Sequence, residues 1–223
     1  MKYAHPVIRP MFESPTLQLM MDELQEILDA EKIIRQKFYA DIENSDELWE
    51  FINGEIVKIG ILKLKNSLPL KNLNRILKTF VSENHLGAIG ENSMVSLSRN
   101  DYLPELSFFG KEKARQFLPL QTRFPAPDFV VEIATPESQH IDFFVKHIDY
   151  AAHGVAEYWI IEPSSKQISQ FLLKKDQREY ELHHKTNNGI LHCHVLEGLN
   201  IPVEAIFDGG MNLSFVHELI NGK

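Results

Sequence analysis

A glutamate inside an apolar run, and a lysine fourteen positions later, are the residues from which chemistry can be read in this chain. Glu132 interrupts Phe129-Val130-Val131-Glu132-Ile133-Ala134, a stretch opened by Pro127-Asp128 and closed by Thr135-Pro136. Such a run of β-forming residues between turn signals predicts a central strand. Taking an ionised carboxylate out of water there costs several kcal/mol unless a cation, a metal ion or a hydrogen-bond network offsets it. Lys146 falls in a segment that reads as a helix folding back on the sheet. A carboxylate and an ammonium brought together in this way suit metal-assisted phosphodiester hydrolysis.

Other acids lie within reach of that pair. On a strand, Asp128 and Glu132 share one face, because side chains alternate, so they could share a cation; Asp128 could equally be a strand-edge residue satisfied by loop amides. Glu132 itself could be a structural acid paired with a buried arginine or lysine. On the following helix Asp142 and Lys146 are spaced i,i+4, which taken alone describes a solvated ion pair. Helical periodicity puts Ile141, Phe144, Val145, Ile148 and Ala152 on the core face and points Lys146 away from it. To meet Glu132, the polar side of that helix would have to overhang the strand tips, and periodicity leaves Lys146 between the two roles. Glu105 becomes a second acid if Leu106-Ser107-Phe108-Phe109 is a strand beside that of Glu132. Glu50 and Glu55, on either side of Asn53-Gly54, are expected to be solvated.

The elements that must position these residues follow from the pattern of apolar and turn residues. Ser14-Pro15 reads as an N-cap followed by proline at the first helical position. Leu17, Met20, Leu24, Ile27, Leu28, Ile34 and Phe38 then define a long amphipathic helix to about Asp41, whose apolar face needs a partner, either the main domain or a second copy of the chain. Asn53-Gly54 between two short β-rich runs is a hairpin signal. Leu70, Leu73, Ile76, Leu77 and Phe80 mark a second helix ending near Gly87. Alternating segments follow at 87–97 and 106–109, then the strand at 129–134, a helix from about Glu137 to His153 stopped by Gly154, and a strand at Tyr158-Trp159-Ile160-Ile161. Strand, helix and strand over 129–161 make one crossover, so the two strands should be parallel neighbours. Further strands are expected at 166–174, 179–186 and 190–197. The fold class is α/β or α+β with a mixed sheet.

Composition bounds the function. The chain has 223 residues, 43% hydrophobic and 24% charged, which suits one main domain with a small accessory segment. No apolar stretch approaches the roughly 18 residues of a membrane span, and the first residues lack the apolar core of a secretory signal, so the expected setting is the cytoplasm. A single cysteine, Cys193, excludes an intramolecular disulfide. The net charge of −8 cuts against sequence-tolerant nucleic-acid binding, which draws on a basic stripe. Basic residues are only modestly grouped, at 58–78, 111–115 and 174–178.

Taken together, several segments resemble the Uma family of restriction-endonuclease-like proteins, a branch of the PD-(D/E)XK nuclease superfamily. They are Glu50-Phe51-Ile52-Asn53-Gly54-Glu55-Ile56, Arg99-Asn100-Asp101-Tyr102-Leu103-Pro104-Glu105, Phe124-Pro125-Ala126-Pro127-Asp128-Phe129-Val130-Val131-Glu132, then Asp142, Lys146 and the run from Tyr150 to Ile161. The similarity extends from about Phe38 to Asp208. It implies a restriction-endonuclease-like core at 45–210, a central mixed sheet flanked by helices, preceded by a helical extension at 1–44 and followed by a tail at 211–223. It implies a DNA endonuclease with Glu105 and Glu132 binding Mg²⁺ or Mn²⁺, Lys146 as the catalytic lysine, and Glu55, Asp142 and Asp128 in support. The superfamily's usual lysine would fall at Ala134, and Lys146 matches the family's lysine on the next helix. Two departures stand out. Glu105 occupies the place of an aspartate, and Asn66 stands where a histidine is usual. Both weigh toward a second reading, a degenerate nuclease-fold module acting in dimerisation or partner binding. A homodimer through the N-terminal helix fits either reading. Zinc bound by His183, His184, His192, His194 and Cys193 is a third possibility, but no spacing there matches a structural zinc motif.

Overall fold

The structure, a computed structural model, describes residues 8–43, 45–60 and 64–222, without the side chains of residues 64–66. The side chain of Asn66 therefore lies outside what is described. The chain divides into two units, Met1–Ile59 and Gly60–Lys223.

In the first unit a short helix, α1 (Arg9–Phe12), precedes a long one, α2 (Leu17–Ile42). Ser14 Oγ accepts from Thr16 N at 3.2 Å, and α2 starts at Leu17, two residues after Pro15. The hairpin expected at Asn53-Gly54 is present as β1 (Trp49–Ile52) and β2 (Glu55–Lys58), paired antiparallel with Ile52 opposite Glu55. Asn53 and Gly54 both adopt positive φ, 51° and 87°. Two such residues give the backbone twist that matches paired strands. Phe38 is fully buried, its ring 5.7 Å from that of Phe51.

The second unit opens with α3 (Leu64–Glu83). The segment 87–97, expected as one alternating stretch, breaks into β3 (Gly87–Glu91) and β4 (Met94–Ser96), with Asn92 between them at φ 46°. The remaining elements are β5 (Asp101–Tyr102), β6 (Leu106–Gly110), α4 (Lys111–Ala114), β7 (Arg123–Phe124), β8 (Phe129–Ile133), a π-helical turn (Ile141–Lys146) running into α5 (His147–Ala152), β9 (Glu157–Glu162), β10 (Gln167–Leu173), β11 (Tyr180–Thr186), β12 (Ile190–His192), β13 (Asn200–Pro202), α6 (Val203–Phe207) and α7 (Gly209–Asn221). The strand expected at 190–197 stops at His192, where the chain turns and Cys193 N bonds Leu199 O. The last residues of the chain, expected as a tail, are largely α7, capped by Asp208 on Met211 N.

Six strands form the central mixed sheet in the order β11-β10-β9-β8-β6-β3. As expected, β8 and β9 are parallel neighbours, Phe129 opposite Glu157 and Ile133 opposite Ile161. All other pairs in that sheet are antiparallel. Alternation divides β8 between two layers. Phe129, Val131 and Ile133 face a core shared with Leu73, Ile76 and Leu77 of α3 and with Ile206 of α6. Val130 and Glu132 belong to the other face, where Tyr150 and Tyr158 stack edge to face, ring centres 5.4 Å apart. No described helix is long and apolar enough to cross a membrane.

Candidate active site

Strand register brings the two acids together. Leu106 of β6 lies opposite Val131 of β8, so one step further Glu105 stands opposite Glu132. Ile133 N donates to Glu105 Oε2 at 3.0 Å, a side chain continuing the ladder where Pro104 ends β6. The two carboxyl groups hydrogen-bond to each other. Two ionised carboxylates this close repel, so the contact favours a proton or a cation between them. Burial pushes the Glu105 carboxyl up, with Asp142 adding to the rise, against the pull of Glu132, Lys146 and the Ile133 amide.

Lys146 sits on this pair. Its Nζ lies 2.9 Å from Glu132 Oε1 and 3.7 Å from Asp142 Oδ1, and 5.6 Å from the ring centre of Tyr102. Tyr150 OH donates to the same Glu132 oxygen at 3.2 Å. Asp142 is held in turn by Ser138 Oγ, which donates to its Oδ2 at 2.6 Å, and Tyr158 OH donates to the Asp142 carbonyl at 3.0 Å. The Tyr158 hydroxyl stays protonated, since burial and then the charges of Glu132 and Asp142 push its pKa well up.

The helix that carries Lys146 shows the opposite face from the one periodicity predicts. Asp142, Lys146 and Tyr150 are buried, whereas Phe144 and Ile148 are 60% and 66% exposed. Magnitudes explain the reversal. Leaving Glu132 without its buried cation would cost about 3–5 kcal/mol. Burying Phe144 or Ile148 fully would gain at most about 1.5–3 kcal/mol each, and both keep part of their contacts. A π-helical turn is wider than an α-turn and is frequent at functional sites; here it lies across Asp142–Lys146.

Three tyrosines and an acid escaped the sequence reading. Tyr102, fully buried, holds its ring over Lys146 and 5.3 Å from that of Tyr150. Its hydroxyl donates to Asp149 Oδ2 at 2.8 Å, and Asn100 Nδ2 donates to the same oxygen at 2.6 Å. His153 Nδ1 faces Asp149 Oδ1 at 3.0 Å, and Ser98 N donates to His153 Nε2 at 3.2 Å. Ser98 and Asn100 thereby tie the turn before β5 to α5, steadying the wall that Tyr102 forms. The only hint in the sequence was the four-residue spacing of Asp142, Lys146 and Tyr150.

One expected residue is engaged elsewhere. Asp128 accepts from Gly110 N at 2.7 Å and pairs with Lys113 at 2.7 Å, the satisfied strand-edge role. Glu55 is exposed on β2, in the N-terminal unit. Glu50, expected to be solvated, is buried. Among the described residues the histidines do not assemble a zinc centre. His192 pairs with Asn200, His183 Nε2 lies 3.1 Å from His194 Nε2, and the Cys193 thiol donates to Glu157. Burial, and then Glu157, push that thiol well up, so it stays protonated. Several basic residues from the grouped stretches are met by acids: Lys58 by Glu47, Lys78 by Glu91, Lys113 by Asp128 and Lys174 by Glu181.

The donor set suits a hard divalent ion. Among the described residues no group of three or more His, Cys, Asp or Glu is arranged to hold a metal ion; Glu105 and Glu132 are a pair of acids. One or two carboxylates completed by water and substrate phosphate are what Mg²⁺ ordinarily takes.

Comparison with known proteins bears on this arrangement. Residues 35–204 match the Uma2 family model, described as "Putative restriction endonuclease". A crystal structure of a "putative nuclease belonging to DUF820" from Anabaena variabilis superposes with a TM-score of 0.63 at 16% identity, covering 73% of this chain and 91% of that one. No curated protein matches the chain.

Proposed function

The chain belongs to the Uma2 family of restriction-endonuclease-like proteins, and on that premise we propose that it is a divalent-metal-dependent DNA endonuclease. The observation that carries the reading is the hydrogen-bonded pair Glu105–Glu132 with Lys146 on its flank. Glu105 and Glu132 would hold Mg²⁺ or Mn²⁺. When bound, the ion polarises the phosphate and lowers the pKa of water, making a nucleophile at neutral pH.

The chain's own residues supply the rest. Tyr150 and Lys146 fix the Glu132 carboxylate through one oxygen. Lys146 orients the attacking water or meets the charge that grows on the phosphate, an interaction strongest in a dry site. Asp142, fastened by Ser138, holds the lysine in position. Tyr102 walls the lysine off from water. The substrate is DNA, and because the net charge is −8 and several of the basic residues are paired with acids, binding should depend on divalent ions that mask the carboxylates. The setting is cytoplasmic, where a lone buried thiol stays reduced.

Mn²⁺-dependent cleavage of plasmid and single-stranded DNA by wild type and Lys146→Ala tests the reading. Cleavage by the wild type alone supports it. Equal rates in both proteins would remove Lys146 from catalysis. No cleavage by either would favour the rival, a nuclease fold used for partner binding, to which the longer Glu105 side chain already points.

A further inference from the structure

We propose that α2 is a self-association element, pairing antiparallel with α2 of a second copy of the chain around a two-fold axis close to Asp29–Ala30. The inference does not rest on the nuclease reading.

The helix has two unlike sides. On one, Glu31 lies against Gly54, where an added Cβ would meet its Oε1 at 2.8 Å, and Phe38 is buried against Phe51. That side is used by the unit's own hairpin. On another, Met20, Ile27 and Ile34 recur every seven residues, exposed by 39%, 47% and 44%. Glu23, Ala30 and Lys37 follow each of them by three. Residues 18–30 are exposed all round. Met20, Leu24, Ile27 and Ile34, apolar and left in water on one side of a helix of 26 residues, about 39 Å, are the pattern of a helix face awaiting a partner helix.

Charge identifies the partner. Between residues 10 and 31 the chain has no lysine or arginine, and α2 carries Asp22, Glu23, Glu26, Asp29 and Glu31 in its first part and Lys32, Arg35 and Lys37 in its last. A parallel pairing sets the acids against their own copies, which destabilises. An antiparallel pairing sets Glu23 of one copy against Lys37 of the other, both beside the seam, and puts the acid-rich first part of each helix along the basic last part of its partner. The midpoint of that pair is residue 30, and a two-fold axis there also sets Ile27 of one copy beside Ile34 of the other. Small Ala30 falls near that axis, where helices approach most closely. The interface is isologous and therefore closes at a dimer. Most of the seam precedes residue 35, where the family match begins, so the contact belongs to this chain's extension.

Sedimentation equilibrium of the full chain at low salt, with far-UV circular dichroism to confirm folding, gives the test. The wild type is expected at twice 25.7 kDa, and Ile27→Glu with Ile34→Glu at the monomer mass, a weakening of about tenfold or more. Glu23→Lys should weaken the dimer, and adding Lys37→Glu should restore it. Among single cysteine variants, with Cys193 buried, Ala30→Cys should form a disulfide-linked dimer on oxidation. A monomeric wild type would overturn the proposal. So would a dimer indifferent to the seam variants, a charge swap without rescue, or a Glu23→Cys protein that crosslinks to itself, as a parallel pair would.

Discussion

Two glutamates sit in apolar strands side by side at the centre of the sheet, and their surroundings differ in kind. Glu157 on β9 is fully buried and takes hydrogen bonds from Trp159 Nε1, Gln170 Nε2, the Cys193 thiol, and the backbone amides of His194 and Val195. Every donor is neutral. Glu132 on β8 instead faces a lysine, a tyrosine and a second acid. A carboxylate closed by neutral donors on both oxygens is a structural fastening, here of the turn after β12. A carboxylate whose partners are a lysine, a tyrosine and a second acid has the surroundings on which the proposed cation site rests. Burial of an acid is therefore no functional signal until its partners are known.

The contrast can be tested by treating the two acids alike. Glu132→Gln or Lys146→Ala should lower Mn²⁺-dependent cleavage by about a hundredfold or more, measured in single-turnover assays, while Glu157→Gln, if folded, should retain cleavage. Glu157→Gln should instead cost about 2–4 kcal/mol of stability in urea denaturation, since an amide presents a donor to groups that need an acceptor. Melting temperatures should part in the same way: Mg²⁺ or Mn²⁺ should raise that of the wild type and of Glu157→Gln, and not that of Glu132→Gln with Glu105→Gln.

Proton linkage offers a finer separation. The Glu105 carboxyl is raised by burial, so the folded metal-free chain holds this proton to higher pH than the unfolded chain. Its contribution to stability is complete below the unfolded value of about 4.3 and is lost as pH rises through the folded one. The difference in stability between wild type and Glu105→Gln should therefore shrink or reverse with rising pH, and a divalent ion should restore it. A difference constant with pH would show that the acids do not share a proton. The smallest effect is expected for Tyr150→Phe, which removes one of the donors to Glu132 and should slow cleavage about threefold to tenfold at a cost of about 1 kcal/mol.

Much of the architecture was legible before any coordinates. The hairpin at Asn53-Gly54, the parallel neighbours around residues 129–161 and the stop at Gly154, φ 78°, all follow from local rules of turn chemistry and strand alternation. The division of 87–97 into strands with different partners was not legible, because alternation is the same whichever strand lies alongside. The face of the helix after β8 was misread for a related reason. Periodicity counts apolar residues, and it favoured Phe144 and Ile148; the charge already buried at Glu132 outweighed them and turned Lys146 inward.

The chain's order of residues thus fixed the presence of a carboxylate in a buried strand, a lysine on the next helix and an acid ahead of β6, because composition and spacing are local properties. Which acid would be disarmed by neutral donors and which would meet a lysine depended on strand register and on loops far away in sequence: Val195 for Glu157, Pro104 and Glu105 for Glu132. Electrostatic environment is a sum over neighbours in space, and those neighbours exist only once the sheet has closed.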